Sequence, residues 1–425
     1  MRVLVVGSGG REHAIVKSAL KSSLVSEVHA APGNAGISRQ ATCHAVADSD
    51  NAGILKLAKQ IDASLVVIGP EAPLCAGLAD ELIEAGFKVF GPGREAAMLE
   101  GSKGFSKEIM QAAGVPTAGY ARFAEYQAAM AHLAAISFPT VVKANGLAAG
   151  KGVIIAQAMA EAEDALRQCF IDRSFGDAGL DVLVEECLVG HELSVLALCD
   201  GETILPLEPA QDYKRIFDGD HGPNTGGMGC YSPVPRVPPG FVDDIIDIVH
   251  RPVVDELKKR GIEFKGVLYA GLMLTAGGPK VLEFNTRFGD PETQAILPRL
   301  ENDLVELMLA CVEGTLAGHR LHWKEERCVS VIMASAGYPL SSSRGDVISG
   351  LDEDGGLPGV EVYHAGTAGQ DGGFVTNGGR VLAVSALAPT FTAARGKAYE
   401  AVRQVRFQGM QFRNDIASEP AAGER

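Results

Sequence analysis

The sequence predicts a multidomain protein of the α/β and α+β classes, and three observations support this. Residues 2–6, 11–22 and 27–30 follow the order of a buried strand, an amphipathic helix and a second strand, which predicts a parallel sheet. Residues 138–156 have the pattern of a two-stranded hairpin, and strand-like runs recur beyond residue 326. A chain of 425 residues has room for roughly two to four domains.

The first part, residues 1–103, is predicted to be a doubly wound domain with a parallel sheet. Further strands at residues 65–68 and 88–90 flank a helix at residues 77–85. Ligands of open α/β sheets gather at the carboxyl ends of the strands. The glycine- and proline-rich loops that follow these strands are therefore candidate binding loops.

The turn after the first strand resembles the dinucleotide fingerprint incompletely. Glu12 occupies the position of the third glycine, and the second strand ends without the acidic residue that binds ribose. The alternative is an anion held by Gly9, Gly10 and the N-terminus of the following helix, which the helix dipole favours. The turn therefore favours anion binding over NAD or FAD.

Composition excludes several classes of protein. A net charge of −15 and a pI near 5.2 argue against a nucleic-acid binder. The eight cysteines have neither zinc-site spacing nor paired motifs, which is typical of a reducing cytosol. Without a long apolar run or a leader-like start, we expect a cytoplasmic protein with no membrane partner. We also expect a monomer that acts on small molecules, an expectation for which the sequence carries no signal of its own.

Residues 143–152 form the most informative segment, with two lysines and three glycines at the predicted hairpin tip. Such a tip offers unblocked backbone N–H groups together with the cations of Lys143 and Lys151 to a polyphosphate. An ordinary solvated turn is the alternative. Metal ligands elsewhere in the chain would favour a nucleotide clamp.

Those ligands are predicted at residues 281–292. In a strand, Glu283 and Asn285 share one face, while Leu282 and Phe284 point into the core. A carboxylate and an amide oxygen suit Mg²⁺, and Arg287 on the same face supplies a planar fork for carboxylate or phosphate. An amphipathic strand with its polar side in water is the alternative.

Two further segments could contribute to a site. The strand at residues 181–188 can present its backbone to an adenine edge while Glu192 reaches ribose, although Glu185 and Glu186 could be solvated charges. Residues 211–229 are predicted to form a long irregular loop around a polar substrate, with disorder as the alternative.

In this order along the chain, these segments resemble the ATP-grasp ligases. More narrowly, residues 5–14, 32–36, 222–229 and 287–292 resemble the phosphoribosylamine-glycine ligase (glycinamide ribonucleotide synthetase) family. The resemblance fades only after about residue 414. It implies ATP-dependent amide formation between glycine and 5-phosphoribosylamine, with Mg²⁺ or Mn²⁺, in de novo purine synthesis.

The resemblance also implies domains and roles. It divides the chain into residues 1–103, an ATP-grasp domain at 104–325 with a lid subdomain at about 120–190, and a β-rich C-terminal cap at 326–425. ATP would contact Lys103, Lys143, Gly146, Gly150, Lys151, Gly152, Glu185, Glu186, Leu188 and Glu192. The metal ligands would be Glu283 and Asn285. The two other substrates would contact Gly9, Gly10, Asn34, Pro70, Glu71, Asp212, Lys214, Asn224, Thr225, Gly226, Gly227, Met228, Arg287, Asp290 and Glu292. A covalent nucleophile is not expected.

Some positions depart from the family pattern. The strand at residues 268–274 lacks the acidic metal ligand of many other ATP-grasp enzymes, which leaves the number of metal ions open. Tyr213 stands where histidine is common, and Cys230 where alanine is usual. His364 is expected to be structural, and the tail at residues 417–425 is expected to be disordered.

Three other functions are compatible with parts of the pattern. One is a nucleotide sensor that has lost its chemistry, although the intact Glu283, Asn285 and Arg287 argue against it. Another is an ATP-grasp ligase for a different acid and amine, such as a purine-pathway carboxylase. The third is a hydride-transfer enzyme, which would bind NADH.

Overall fold

The computed structural model describes residues 1–147 and 152–424, and the bounds below refer to these residues. The N-terminal part is a five-stranded parallel sheet in the order β3-β2-β1-β4-β5. Its strands are β1 (Arg2–Gly7), β2 (Glu27–Pro32), β3 (Thr42–Cys43), β4 (Leu65–Ile68) and β5 (Val89–Phe90). Its helices are α1 (Gly10–Leu20), α2 (Asn51–Gln60), α3 (Glu71–Cys75), α4 (Leu78–Glu84) and α5 (Arg94–Gly101).

The strand β1 explains why this sheet is parallel and covered on both faces. Its residues Val3, Leu4, Val5 and Val6 are fully buried. A strand with helices on both faces is a continuous apolar run instead of an alternating one. The predicted doubly wound parallel sheet is confirmed.

A second, smaller unit is built on an antiparallel sheet in the order β6-β9-β7-β8. Its elements are β6 (Tyr120–Phe123), α7 (Tyr126–Leu133), β7 (Thr140–Ala144), β8 (Val153–Ala156), α8 (Met159–Phe170) and β9 (Val182–Glu186). Val142, Leu166 and Val184 pack in its core. The predicted hairpin is the β7–β8 pair, whereas the lid boundaries of about 120–190 stay a prediction.

The central part is a four-stranded antiparallel sheet in the order β11-β10-β16-β17. Its elements are α6 (Lys103–Ala113), β10 (His191–Asp200), β11 (Ile204–Pro206), α9 (Phe241–Ile245), α10 (Arg251–Lys259), β16 (Lys265–Thr275), β17 (Gly278–Asn285), α11 (Glu292–Ile296) and α12 (Leu304–Glu313). The hydroxyl of Ser102 caps α6 by accepting from the backbone N–H of Phe105, and Gly114, at φ +69°, ends it.

A β-bulge interrupts β17 near the site. Gly271 pairs with Glu283 and Leu272 with Val281, so Leu282 is the extra residue. The prediction that Leu282 points into the core is wrong, because a bulge re-aims the strand and leaves this side chain half-buried at a cavity. Phe284 is buried as predicted.

The C-terminal part shares a sheet with the predicted long loop. Strands from both segments form the antiparallel order β12-β15-β18-β23-β20, and a second sheet has the order β19-β22-β21. The elements are β12 (Gln211–Asp212), β13 (Arg215–Phe217), β14 (His221–Asn224), β15 (Gly229–Ser232), β18 (Arg327–Ala334), β19 (Arg344–Ile348), β20 (Glu361–His364), β21 (Thr367–Gln370), β22 (Gly373–Asn377), β23 (Arg380–Ala388), α13 (Phe391–Val402) and α14 (Ser418–Ala422).

Two expectations about irregular segments are wrong. Residues 211–229 form four short strands, because β12 and β15 complete a sheet and β13 pairs with β14. The tail is ordered to residue 424. It contains α14, and the Glu424 carboxylate accepts from the backbone N–H groups of Phe391 and Thr392 at 2.8 and 2.9 Å.

Across the described ranges, none of the helices combines the length and the apolar character needed to cross a membrane.

Candidate active site

One cavity of about 890 Å³ is lined by residues from the N-terminal part, the smaller unit, the central part and the C-terminal part. Most of the described residues predicted to form a site line it. They are Gly9, Pro70, Glu71, Lys103, Lys143, Gly152, Glu185, Glu186, Leu188, Glu192, Asp212, Lys214, Asn224, Thr225, Gly226, Glu283, Asn285, Arg287, Asp290 and Glu292. Residues separated by almost 300 positions in the sequence are thus brought to a single cavity.

Five described residues from the same prediction are absent from the cavity wall, namely Gly10, Asn34, Gly146, Gly227 and Met228. Asn34 instead connects parts of the fold, because its side-chain amide donates to Ser8 O and His364 O at 2.8 Å each. The predicted ATP-binding residues Gly150 and Lys151 lie outside the described residues.

Two lysines define one end of the cavity. Lys103 is the first residue of α6, and its ammonium donates to Gly146 O at 3.3 Å. Burial lowers the pKa of Lys103, while nearby Glu283 opposes that shift. Lys143 on β7 donates to the carbonyl oxygen of the bulged Leu282 at 3.1 Å. The hairpin and the strand of the predicted metal ligands therefore touch.

Glu185 is neither a solvated charge nor an exposed ligand. Its carboxylate is buried, and its Oε2 lies 2.9 Å from Lys143 Nζ and 3.1 Å from Lys107 Nζ. Burial lowers the pKa of Lys107 to about 8, and Glu185 limits the shift. The neighbouring Glu186 is exposed and lies 3.1 Å from Lys280. Glu185 thus fixes the ammonium of Lys143 at the cavity wall.

Glu283 is held ionised. Lys214 Nζ lies 3.4 Å from its Oε1 and 3.6 Å from Glu192 Oε2. The Lys214 charge, opposed by burial and aided by Lys103 and Lys143, lowers the pKa of Glu283 to about 2. A carboxylate that stays charged at neutral pH is a competent ligand for a hard cation.

The residues present fit a divalent metal that also binds phosphate. Glu283 and Asn285 offer two hard oxygens at the end of β17. Among the described residues, His, Cys, Asp and Glu side chains form no group of three that could hold a metal alone. Mg²⁺ commonly takes one or two protein ligands and completes its shell with phosphate oxygens and water.

Arg287 links the metal-ligand strand to the N-terminal domain. Its guanidinium donates to Asn285 Oδ1 at 3.3 Å, Glu71 Oε2 at 3.3 Å and Glu100 Oε1 at 2.6 Å. Burial alone would raise the pKa of Glu71. The positive charges of Arg287 and Arg11 outweigh that effect, so the pKa of Glu71 falls to about 2. The N-terminal and central parts of the fold are thereby held together around one guanidinium.

A buried acidic group lies deeper in the cavity. Glu292 Oε1 accepts from Tyr269 OH at 2.8 Å and from Ser194 Oγ at 3.0 Å. Asp212 Oδ1 is shielded from solvent and has no hydrogen-bond partner among the described residues. Burial and the nearby Glu292 raise the pKa of Asp212. This pair of carboxyl groups suits a cationic or hydrogen-bond-donating ligand group.

The turn after β1 explains why the dinucleotide fingerprint is incomplete. Glu12 Oε2 accepts from the backbone N–H of Gly9 at 2.6 Å. A Cβ on Gly7 or Gly69 would meet the Glu12 side chain within 2.7 Å. The carboxylate therefore occupies the space over the turn, which argues against a dinucleotide pyrophosphate there.

The C-terminal part supplies site residues that sequence reasoning missed. Arg380 donates to Gly226 O and to Asp290 O, and its NH2 lies 3.2 Å from Asp290 Oδ2. The Tyr338 hydroxyl accepts from the backbone N–H of Gly226 at 2.9 Å. Both line the cavity. Their only local signal is adjacency to glycine-rich turns, which is too common to identify a site.

The fold and the site define a class of protein. A lysine-bearing hairpin and a Glu-x-Asn strand face each other across one cavity, in a chain that carries an N-terminal parallel sheet. This is the arrangement of the ATP-grasp enzymes, which use ATP with a divalent metal. A solved biotin carboxylase domain of a 2-oxoglutarate carboxylase from Hydrogenobacter thermophilus shares the fold, with a TM-score of 0.72 at 18% identity over 98% of this chain and 97% of that one.

The chain belongs to the phosphoribosylglycinamide synthetase family. Models of that family's N, ATP-grasp (A) and C domains match residues 1–100, 101–293 and 328–419. A phosphoribosylamine-glycine ligase from Streptomyces coelicolor is 48% identical over 99% of this chain and 100% of that one. The crystal structure of a phosphoribosylamine-glycine ligase from Thermotoga maritima has a TM-score of 0.86 and 36% identity, over 98% of this chain and 100% of that one.

Proposed function

We propose that the protein uses ATP to join glycine to 5-phosphoribosylamine, giving glycinamide ribonucleotide, ADP and phosphate, the second step of de novo purine synthesis. The observation that carries the proposal is the single cavity. It combines a cationic phosphate end, a Glu-x-Asn metal pair and a mixed acidic and arginine-lined end. Membership of the family supports the choice of glycine and the ribosylamine.

The chemistry requires activation of a carboxylate. A carboxylate oxygen is a poor leaving group, so glycine first attacks the γ-phosphorus of ATP, and ADP departs. The amine nitrogen then attacks the carbonyl carbon of glycyl phosphate, loses a proton, and phosphate departs. Phosphoryl transfer needs positioning and charge neutralisation more than covalent help, which agrees with a site without a covalent nucleophile.

The nucleotide is proposed to lie between the two lysine-bearing elements. Lys103 and Lys143 hold phosphates, because both ammonium groups line one end of the cavity. Glu186, Leu188 and Glu192 line the wall expected to seat adenine and ribose. Lys151, Gly150 and Gly146 are proposed to close over the phosphates.

Glu283 and Asn285 would hold a divalent metal, for which we propose Mg²⁺ or Mn²⁺. When bound, the metal would neutralise charge on the phosphates. Glu283 is ionised because Lys214 holds its pKa near 2. Arg287 orients Asn285 through its hydrogen bond at 3.3 Å.

The other end of the cavity is proposed to take glycine and the ribosylamine. Arg287 and Arg380 are suited to anionic groups, and Asp212 with Glu292 to the ammonium of glycine. Gly9, Pro70 and Glu71 border the ribosylamine side. Gly10, Asn34, Gly227 and Met228 would shape the loops without lining the cavity.

The test is substrate-dependent release of ADP by the purified protein. ADP formation should require glycine, 5-phosphoribosylamine and a divalent metal together. Stimulation by bicarbonate or another acid in place of glycine would favour a different ATP-grasp ligase. Binding of ATP without any turnover would favour a nucleotide sensor. Tight binding of NADH, with no binding of ATP, would favour a hydride-transfer enzyme.

The setting of the reaction is also a proposal. All eight cysteines lie within the described residues and are free, which supports a reducing cytoplasm. We propose that the protein acts there as a monomer on small molecules, without nucleic acid or membrane partners. Size-exclusion chromatography with light scattering measures the molar mass in solution and so tests whether the protein is a monomer.

A further inference from the structure

The C-terminal segment reaches back across the molecule to the substrate side of the cavity. We call residues 413–417 the strap and residues 213–224, which contain β13 and β14, the substrate hairpin. The strap precedes α14 and contacts the substrate hairpin, which lines the cavity with Tyr213, Lys214, Arg215, Asp220 and Asn224. The two segments are about 200 positions apart in the chain.

Arg413 makes the central contacts. Its guanidinium is 1% exposed although the residue lies near the end of the chain. It donates to Asp220 Oδ1 at 2.6 Å and to Arg215 O at 3.1 Å, and it lies 4.8 Å from the centre of the Tyr213 ring. Its Nε donates to Asp415 Oδ1 at 2.7 Å. One planar fork thus contacts both β13 and the turn that follows it.

The neighbouring strap residues bind the hairpin tip. The backbone N–H of Asn414 donates to Asp218 Oδ1 at 2.7 Å, and its side-chain amide donates to Asp218 Oδ2 at 3.0 Å. Asp415 Oδ2 accepts from the backbone N–H of Gly219 at 2.8 Å. The backbone N–H of Ala417 donates to the Tyr213 hydroxyl at 3.0 Å.

The substrate hairpin is poorly equipped to order itself. Its strands have three and four residues, and Phe217 is exposed, so Ile216 is its main buried anchor. A hairpin of this size is marginal in water without packing partners. The hydrogen bonds from the strap therefore carry much of its order.

The position of the hairpin sets the position of the site loop. The backbone N–H and the hydroxyl of Thr225 donate to Lys214 O at 2.7 and 2.8 Å. The backbone N–H of Met228 donates to Tyr213 O at 2.8 Å. Lys214 in turn contacts Glu283 and Glu192. Displacing the hairpin would move Lys214 and residues 224–228 together.

We propose that Arg413 is a positioning residue for binding of glycine and the ribosylamine, and that the strap orders the substrate hairpin in its working geometry. This inference rests on the proposed function for the identity of the substrates. It assigns a role to the end of the chain, which reaches the cavity wall only through residues of the substrate hairpin such as Asp220.

The experiment compares three single variants in the full-length protein. Arg413→Lys keeps the positive charge but removes the planar guanidinium that donates to several partners at once. Asp220→Asn weakens the contact from the hairpin side, where the side chain is exposed and asparagine tolerates the positive φ of 57°. Glu424→Gln is the matched control, because it alters the same tail at its contact with α13 and leaves the strap unchanged.

Two readouts separate positioning from simple stability. Loss of one or two charged hydrogen bonds should raise the KM for glycine and the ribosylamine about tenfold while kcat falls less than about threefold. Trypsin should cleave after Lys214 and Arg215 faster in Arg413→Lys and in Asp220→Asn than in the wild type, and saturating substrates should slow that cleavage. Glu424→Gln should match the wild type in both readouts.

Different results would contradict the positioning role, the ordering role and the proposed function. A fall in kcat at unchanged KM would indicate fewer folded molecules and would overturn the positioning role. Equal tryptic cleavage of Arg413→Lys and wild type would overturn the ordering role. If the wild type itself fails to use glycine, the proposed function is wrong, and the cleavage comparison still decides whether the strap orders the hairpin.

Discussion

At the scale of single residues, the carboxylate of Glu283 lies where several charged side chains of the site come together. Three lysines surround its carboxylate and hold its pKa near 2. Removing the charge while keeping the shape should therefore abolish metal-dependent chemistry without unfolding the protein.

We expect Glu283→Gln to lower kcat by at least about a thousandfold, because charge neutralisation is the main contribution to phosphoryl transfer. An ADP-release assay across a Mg²⁺ titration measures this, and circular dichroism checks the fold. Glu202→Gln, on an exposed turn where the carboxylate pairs with Lys258, is the control. Near-normal activity of Glu283→Gln at saturating Mg²⁺ would remove Glu283 from the metal site.

His250 gives a prediction about pH and stability. It is fully buried in the π-helical turn Ile246–His250, and burial lowers its pKa to about 4. The imidazole of His250 therefore has a pKa of about 6.5 in the unfolded chain and a pKa of about 4 in the folded chain. Between these values the unfolded state holds more protons, so stability falls as the pH falls.

We expect this residue alone to remove roughly 3 kcal/mol of unfolding free energy between pH 6.5 and pH 4. Urea denaturation of the wild type and of His250→Leu over that range measures it. The variant should lose correspondingly less stability on acidification, and the comparison is between the two pH profiles, each referred to its own value at pH 7. Parallel pH profiles for the two proteins would contradict the assignment.

Sequence reasoning succeeded for residues whose chemistry is local. Glu283 and Asn285 two positions apart in a strand could be placed on one face. The burial of Glu185 between Lys107 and Lys143 could not be predicted, because the three side chains come from α6, β7 and β9 and meet only in the folded chain. A strand-end glutamate is usually solvated.

At the scale of elements, the β7–β8 hairpin carries the proposed lid. Its strands pair from Thr140 with Ala156 to Lys143 with Val153, and the backbone N–H of Ala144 donates to Gly152 O at 2.8 Å. The described ends of the connection, Leu147 and Gly152, line the cavity.

We expect Lys151→Ala to raise the KM for ATP about tenfold, because one phosphate contact is lost, and to increase ATP hydrolysis that is uncoupled from product, because a lid excludes water. Steady-state kinetics with separate assays of ADP and glycinamide ribonucleotide measure both effects. Lys59→Ala on α2 is a remote lysine control. An unchanged KM for ATP would count against the lid.

Element prediction was most accurate where one pattern dominated. The apolar run of β1, and the two strand-like segments on either side of the glycine-rich turn in the β7–β8 hairpin, predicted the type and approximate bounds of these elements. The prediction for residues 211–229 was wrong because their strands are short and polar. Of these, β15 pairs with β12 and with the distant β18, and the β13–β14 pair lies against the strap. Such pairing leaves little local signal.

At the scale of the whole molecule, the site is assembled between the parts of the fold. The C-terminal strand β18 pairs with β15, and β23 brings Arg380 to the cavity. The C-terminal part is thus more than a cap, since it supplies a guanidinium to the substrate loop. This role could not be predicted, because the pairing of strands so far apart in the chain leaves no local pattern.

We expect Arg380→Met to raise the KM for glycine or the ribosylamine by about tenfold or more, because Gly226 and Asp290 lose a shared charged donor. Direct ATP binding, measured by calorimetry, should change little. Arg344→Met, an exposed arginine of the same C-terminal part, is the control. Loss of ATP affinity equal to the loss for the other substrates would indicate a general collapse of the site instead.

The central claim is that the cavity forms a glycyl phosphate before the amide. Turnover of glycine labelled with ¹⁸O in both carboxylate oxygens tests it directly, with the released phosphate analysed by mass spectrometry. The account predicts that each phosphate carries one ¹⁸O atom from glycine while the other stays in the amide. Product formation with unlabelled phosphate would contradict it.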